Sequence, residues 1–404
     1  MYDAIVVGAR CAGSSTAMLL ARKGYRVLLL DRDRFPSDMA MSTHLVHQRG
    51  MALLARWGLL EQIQATHCRP VTRCTMDLGT FTLTGVAPAV DGQAESFAPR
   101  RLLLDDILIR AATTSGAEMR EGGLVEGLLH EEDHICGVRA RTASGTVFSE
   151  RARIVIGADG PSSRVASEVQ AAEYNSKPAL MGTAWTYWSG IPHDHLELHF
   201  RPYEAVYAFP TSEWCTLVGT SWAIERFRAA RRDIERAYFD LLRRAAPLLA
   251  AQLESATRAD DKIYLGSTRN FFRKASGPGW ALVGDAGYKK DPCTAQGITD
   301  AFYDADLLVK ALDAGLSNQR PLAEALAEYE RQRDQWAMPF YELTCEMATF
   351  APPSPAMRAI YEALRGNGDD TSRFIGLTTE AVSPTEFFAP ANVQRILAGG
   401  RAAA

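Results

Sequence analysis

The chain has no uninterrupted apolar run of membrane-spanning length, no CxxC pair and no excess of basic residues. The first absence argues against an integral membrane segment. The seven cysteines, at 11, 68, 74, 136, 215, 293 and 345, are odd in number and scattered, as reduced thiols of a cytoplasmic protein are. A formal net charge of −4 argues against a nucleic-acid partner, because phosphate binding needs a basic face. The first residues lack a basic stretch and enter a strand at once, so no export signal is expected and the expected location is cytoplasmic. There is no internal repeat, and low complexity is confined to the small Gly-Arg-Ala tail at 399–404.

What is present is an ordinary globular composition, 47% apolar and 23% charged over 404 residues, enough for two or three domains. Residues 3–8 form an apolar run of buried-strand length, 14–23 carry Ala, Leu and Met at helical spacing, and 26–31 form a second strand. That is a βαβ opening. A helical stretch over 48–66 follows, then alternating Thr and apolar residues over 71–98 predict antiparallel strands. Apolar residues at 103, 104, 107, 108 and 111 make 101–112 helical, and short strands are expected near 124–128, 135–141, 146–149 and 153–157. From 180 to 222 a period of two with Trp185, Tyr187, Trp188, Tyr203, Tyr207, Phe209, Trp214 and Trp222 predicts a second, aromatic-lined sheet. A helical hairpin over 223–257 follows it, and the chain after Gly284 is nearly all helical, with a break at Pro352-Pro353-Ser354-Pro355.

The expected fold class is α/β: a Rossmann-like dinucleotide domain from 1–70, 99–175 and 270–345, a mixed-sheet substrate domain from 71–98 and 176–269, and a helical C-terminal cap over 346–404.

Three strand-end motifs carry the chemistry. Gly8-Ala9-Arg10-Cys11-Ala12-Gly13, with Ala17, lies between strand and helix. Gly8 suits the tight turn and Gly13 the close approach of helix to strand, but Arg10 stands where a middle glycine normally admits a pyrophosphate. Its charge is one substitute for that glycine. Asp31, followed by Arg32, ends the second strand where a carboxylate takes ribose hydroxyls. Asp159-Gly160-Pro161-Ser162-Ser163-Arg164 follows a strand and, taken alone, reads as a type I turn. Gly279 to Gly287 reads as a strand ending at Gly284-Asp285, then a loop through Pro292, Ala295 and Gln296 that opens a helix at Gly297-Ile298. The unpaired N–H groups of such a helix start favour negative charge.

In this order the motifs resemble the flavoprotein monooxygenases of the para-hydroxybenzoate hydroxylase type, a superfamily that also holds flavin-dependent halogenases and geranylgeranyl reductases. The resemblance covers most of residues 1–345 and extends to Arg101-Leu102-Leu103-Leu104-Asp105 and to Phe209-Pro210. It implies FAD as cofactor, NADPH or NADH as co-substrate and molecular oxygen as oxidant. The ADP part would lie on the first motif and the ribityl chain on Asp285, with Arg101 beside the flavin; Asp159 and Gly160 would serve both FAD and NAD(P)H, and the Pro292–Gly297 backbone would face the flavin pyrimidine edge. The family's Gly-Asp-Ala-Ala-His is here Gly284-Asp285-Ala286-Gly287-Tyr288, so the motif histidine is absent. The segment Ser42-Thr43-His44, with His47 nearby, approaches flavin and substrate in the family, which makes His44 the candidate acid–base residue.

The expected activity is hydroxylation or epoxidation of a hydrophobic, aromatic small molecule through a C4a-hydroperoxyflavin. The alternative is an FAD-dependent alkene reductase of the geranylgeranyl reductase type; a non-catalytic flavoprotein sensor is a further one. A halogenase fits less well, because Trp185-Thr186-Tyr187-Trp188-Ser189-Gly190-Ile191-Pro192 lacks the halogenase spacing and Lys23 is the one lysine before position 100. No metal is expected: His193, His195, Glu197 and His199 alternate as on a strand, where every second residue is about 6.6 Å apart and the outer pair spans too far. Asp105-Asp106 read as a solvated helix face, and Phe387 and Phe388 as part of a cap over the substrate pocket.

Overall fold

A computed structural model describes residues 1–39, 41–191 and 193–402. Pro192 of the tryptophan-rich stretch and residues 403–404 of the tail lie outside the described residues.

The apolar run at the start forms strand Tyr2–Val7, the centre of a sheet in the order Ser276–Gly277, Trp280–Leu282, Val147–Gly157, Tyr2–Val7, Val27–Asp31 and Glu118–Glu121. From Trp280–Leu282 to Glu118–Glu121 all neighbours run parallel, with Val7 opposite both Gly157 and Leu30. A parallel sheet is covered on both faces, and the alternation of side chains shows how. Ala4, Val6, Val27 and Leu29 pack under helices Cys11–Arg22, Arg101–Thr114 and Gly297–Leu316, whereas Ile5, Val7, Leu28 and Leu30 meet the antiparallel ribbon Gly123–Glu131 and His134–Thr142. Strand Val147–Gly157 is continuous, joining two segments expected to be separate, because its first half pairs with that ribbon and its second half with the central sheet.

A second sheet, in the order Thr257–Arg258, Met181–Ser189, Thr216–Ala223, Glu204–Pro210, Leu196–Arg201, Cys74–Asp77 and Thr82–Gly85, draws its strands from 74–85 and 181–266. It is antiparallel except where Cys74–Asp77 joins Leu196–Arg201. The aromatic set is divided between its faces by the period of two. Trp188 and Trp222, with Ala208 and Val218, pack against helices Ile234–Ala245 and Pro247–Ser255 as core residues. Trp185, Tyr187 and Phe209 share the other face, and Trp214 and Tyr203 are exposed.

Two further expectations are corrected. His193 and His195 precede the strand, which begins at Leu196, so the spacing of a strand does not apply to them. Their donor atoms and a Glu197 oxygen all lie within 4.8 Å of one another. The two imidazoles are nearly parallel, at 22° with centroids 4.7 Å apart, in a network that also joins Asp194, Arg73, His199 and Asp77 across the two strands. The C-terminal helices Pro355–Leu364, Gly368–Thr378 and Pro384–Phe387 form part of the main core, where Phe387 is fully buried between Phe374 and Phe388; neither phenylalanine lines the pocket, which Phe350 and Thr378 of this region border instead. Among the described residues no helix is long and apolar enough to cross a membrane.

Candidate cofactor and substrate site

The turn after the first strand is held by sterics and one carboxylate. Gly8 has φ +102°, and a Cβ there would lie 2.4 Å from the Ala158 carbonyl oxygen; a Cβ on Gly13 would lie 1.7 Å from the Gly8 oxygen. Both glycines therefore let helix Cys11–Arg22 start directly on the crossing of two strands. Asp31 is buried and accepts hydrogen bonds from the Ala9 N–H at 2.7 Å and the Asp33 N–H at 2.8 Å, so it pins the same turn from the second strand. Arg32 points to solvent and, among the described residues, has Asp33 as its ion-pair partner, at 4.0 Å.

Arg10 is not a free cation. Its guanidinium donates to Asp105 at 2.7 Å, to Asp33 at 3.0 Å and to the Ser37 carbonyl and hydroxyl, beneath Phe35. Asp105, read from the sequence as solvated, is instead fully buried: it accepts two hydrogen bonds of 3.0 Å from Arg101 one helical turn earlier, and the Cys11 thiol. Asp106 does face outward, paired with Arg110 at 2.9 Å. Burial between two guanidiniums is tolerable for a carboxylate because both Coulombic partners and all its hydrogen bonds are present.

Gly284, at φ +60°, places the third motif on the first: a Cβ there would be 2.8 Å from Ala12. Asp285 is half-buried, accepts from Lys289 at 2.6 Å through one oxygen, and its other oxygen takes no hydrogen bond among the described residues. The loop from Pro292 continues with Ala295 in the left-handed region, at φ 53°, and delivers the start of helix Gly297–Leu316. At the end of this partly buried loop Gly297 is exposed, and a Cβ on it would meet nothing within 4 Å; Ile298 behind it is buried. Gln296 is buried and turned away from that opening, donating to the Leu377 and Thr378 carbonyls at 3.2 Å each.

Asp159 stands apart in role. It accepts from Ser163 Oγ at 2.5 Å and from the Arg164 N–H at 2.6 Å, which closes the turn and starts helix Arg164–Glu168. Gly160, at φ +79°, follows it with open space around its Cβ position. These contacts are those of a turn; the structure brings Asp159 beside Gly8 through Ala158 but gives its carboxylate to its own backbone.

Residues 1–344 match the sequence profile of a family described as FAD binding domain. The chain belongs to this family. It is a flavoprotein of the superfamily that holds the para-hydroxybenzoate hydroxylases, and an FAD-dependent oxidoreductase. Among its relatives, a digeranylgeranylglycerophospholipid reductase of Methanococcoides burtonii is 27% identical over 336 residues, 81% of this chain and 76% of that protein. A 6-methylpretetramide 4-monooxygenase of Streptomyces rimosus is 25% identical over 421 aligned positions, 92% of this chain and 93% of that one. In three dimensions the chain is similar to a flavin-dependent brominase, with a TM-score of 0.80 over the whole of both chains at 17% identity, a likeness of fold. The residues present fit FAD: a helix that starts tight on the strand turn at Gly8 and Gly13, a carboxylate with one unengaged oxygen at Asp285, and an open glycine at the start of the second helix.

Beyond the flavin loop lies an apolar pocket between the two sheets. Leu196, Leu198 and Phe200 form one wall, Tyr207 and Phe209 another, Pro292 to Ala295 a third, and Met347, Phe350 and Thr378 close it from the C-terminal region. No Asp, Glu, Lys or Arg is among its lining residues. Two histidines lie near, with different environments. His44, at φ 48°, uses both ring nitrogens inside the protein: Nδ1 lies 3.0 Å from the Ala98 carbonyl oxygen, and Nε2 is 2.9 Å from the Tyr187 hydroxyl. A carbonyl only accepts, so Nδ1 carries the proton and Nε2 accepts from Tyr187. Burial pushes its pKa down to about 3, and it does not line the pocket. His47, three residues on, does line it. The signal for His47 in the sequence was only its nearness to His44; its packing against a loop about 250 residues later is tertiary.

Proposed function

We propose that this protein is an FAD-dependent monooxygenase that hydroxylates or epoxidises a neutral, hydrophobic aromatic molecule, with NADPH or NADH as electron donor. The observation that carries the reading is the pocket: an uncharged, aromatic- and leucine-walled cavity that directly abuts the Pro292–Ala295 loop. When bound, FAD supplies electron transfer and the activation of oxygen. The chain's own residues do the rest. Phe200, Phe209, Leu198 and Phe350 keep water out, which protects a reactive oxygenating species from discharge. The unpartnered N–H groups at the start of helix Gly297–Leu316, in a loop tied down by Gln296, favour negative charge on a reduced ring system next to them. Absence of charge on the walls supports a neutral substrate, since a buried carboxylate without a partner is costly. A monooxygenase is also among the relatives matched over most of both chains.

A second reading, reduction of an alkene, draws on the same apolar walls and on the reductase relative. The experiment that separates them supplies NAD(P)H, 18O-labelled oxygen and a panel of neutral arenes and alkenes. Label appearing in a hydroxylated or epoxidised product supports the monooxygenase. Substrate-dependent NAD(P)H oxidation that proceeds without oxygen, with a saturated product, overturns it in favour of the reductase.

A further inference from the structure

Strand Leu196–Arg201 presents Leu196, Leu198 and Phe200 to the pocket, so Glu197 and His199 lie on its other face. On a regular strand His193 and Glu197 would stand about 13 Å apart. The bend before Leu196 removes that obstacle: one ring nitrogen each of His193 and His195 and one Glu197 oxygen all lie within 4.8 Å of one another. His193 is 4% exposed, and its buried Nε2 has no hydrogen-bond partner. That nitrogen lies 3.7 Å from Glu197 Oε2, which places it inside the cluster. A buried polar nitrogen left open calls for a partner. The outward atoms of the other two residues are already held. Glu197 Oε1 is 2.6 Å from His199 Nε2, and the opposite nitrogen of that ring reaches Asp77 at 3.0 Å. Asp194 lies 2.8 Å from His195 Nδ1, and a carboxylate only accepts, so Nε2 of the neutral ring keeps its lone pair. Arg73, 3.2 Å from Asp194, and Arg201, 2.7 Å from Asp77, balance those two outer carboxylates. A carboxylate behind a histidine and a donor behind a glutamate are the supports that orient ligands around an ion.

We infer that His193 Nε2, His195 Nε2 and Glu197 Oε2 bind one divalent transition-metal ion of the zinc class, with water in the fourth place, and that this ion is structural. Two imidazoles and one carboxylate suit zinc and its neighbours, whereas magnesium and calcium take oxygen ligands throughout. Tetrahedral zinc holds its nitrogen and oxygen donors about 3.4 Å apart. The His193–Glu197 pair, at 3.7 Å, is close to that separation. His195 and Glu197 are both partly exposed, with side chains 18% and 22% accessible, so they have room to draw in around the ion and to admit the water. The ion sits behind the strand whose front walls the pocket. It clamps the 193–195 bend to Glu197, and through His199 and Asp77 it extends to the neighbouring strand Cys74–Asp77, so it holds Leu196 and Leu198 in place without meeting the substrate. This site is independent of the reaction the flavin performs.

The test is calorimetric titration of the full-length, FAD-loaded protein, stripped with EDTA and freed of chelator, with zinc chloride and separately with magnesium chloride. The unmodified protein should take up one tight equivalent of zinc and none of magnesium, and zinc should raise its melting temperature. Two variants remove one donor each: His195→Phe keeps an aromatic ring stacked on His193, and Glu197→Gln keeps an oxygen for His199. Each should weaken zinc binding by about 100-fold and abolish the zinc-dependent rise in melting temperature. An unmodified protein that takes up no zinc, or uptake of equal affinity in both variants, overturns the assignment and leaves a hydrogen-bonded cluster only. Cobalt(II) keeps the proposal testable even where a variant fails to fold. Bound to the unmodified protein, it should give visible tetrahedral bands without thiolate charge transfer; a thiolate band would assign the ion to a cysteine and overturn the site.

Discussion

The guanidinium of Arg10 meets the carboxylate of Asp105 at 2.7 Å, joining the turn after the first strand to a helix that begins ninety residues later in the chain. This contact, with the bidentate grip of Arg101 on the same carboxylate, welds the two helices that flank the cofactor cradle.

Replacing Asp105 by Asn leaves the buried Arg101 guanidinium without a charged partner, while the partly exposed Arg10 keeps Asp33. Breaking one side of a buried ion pair costs about 3–5 kcal/mol. The variant is expected to unfold at markedly lower denaturant and to lose FAD on gel filtration, and Asp105→Asn with unchanged urea midpoint would remove the pair from the account of stability.

Asp285 offers one unengaged oxygen beside Gly284, the expected partner of a ribityl hydroxyl. A hydrogen bond to a charged group contributes about 1.5–3 kcal/mol, so Asp285→Ala should weaken FAD binding by about 10- to 100-fold. Titration of the apoprotein with FAD, followed by quenching of flavin fluorescence, measures this directly. Lys289, relieved of its partner, should leave the fold's melting temperature little changed, because that pair is partly solvated.

Asp304 is fully buried beneath the Gly284 turn, with one oxygen unpartnered, near Asp300, Lys290 and Arg333. Burial raises its pKa to about 8. The folded chain therefore holds a proton that the unfolded chain releases above pH 4, and stability from this group falls as pH climbs from about 4 to about 8. Asp304→Asn should match the unmodified protein near pH 4 and exceed it near pH 8, with Asn Oδ1 still accepting from Gly284. Thermal melts across that range check the sign; an Asn variant less stable at pH 8 would show the carboxylate to be ionised in the fold.

His44 and Tyr187 satisfy one another, with Arg100 stacked 4.1 Å over the tyrosine ring. His44→Ala leaves the buried Tyr187 hydroxyl without its partner, while the Ala98 carbonyl keeps Thr211 Oγ1 at 2.7 Å, and should cost about 1–3 kcal/mol. Once folded and loaded with FAD, it is expected to turn over with the coupling of product to NAD(P)H unchanged. A fall in coupling at full FAD occupancy would return His44 to the chemistry.

Much of the architecture was legible because it is local. Gly8, Gly13 and Asp31 mark a strand–turn–helix–strand whose sterics admit few residues, and the apolar run before Gly8 has the length of a strand buried on both faces. The family and its FAD follow from such motifs and their order. What side chains do across the sheets was not legible. Asp105 reads as a surface acid until Arg10 and Cys11 arrive from another helix, and Trp188 is one of an undivided aromatic set until Tyr238 packs on its face of the sheet. His44 and His47 are near neighbours in the chain with the same chemistry, and only Tyr187 and Thr294, about 140 and 250 residues away, separate the satisfied imidazole from the open one. Periodicity and turn sterics act over a few residues and are written in the chain; burial and hydrogen-bond satisfaction depend on which distant segments meet, and folding alone decides them.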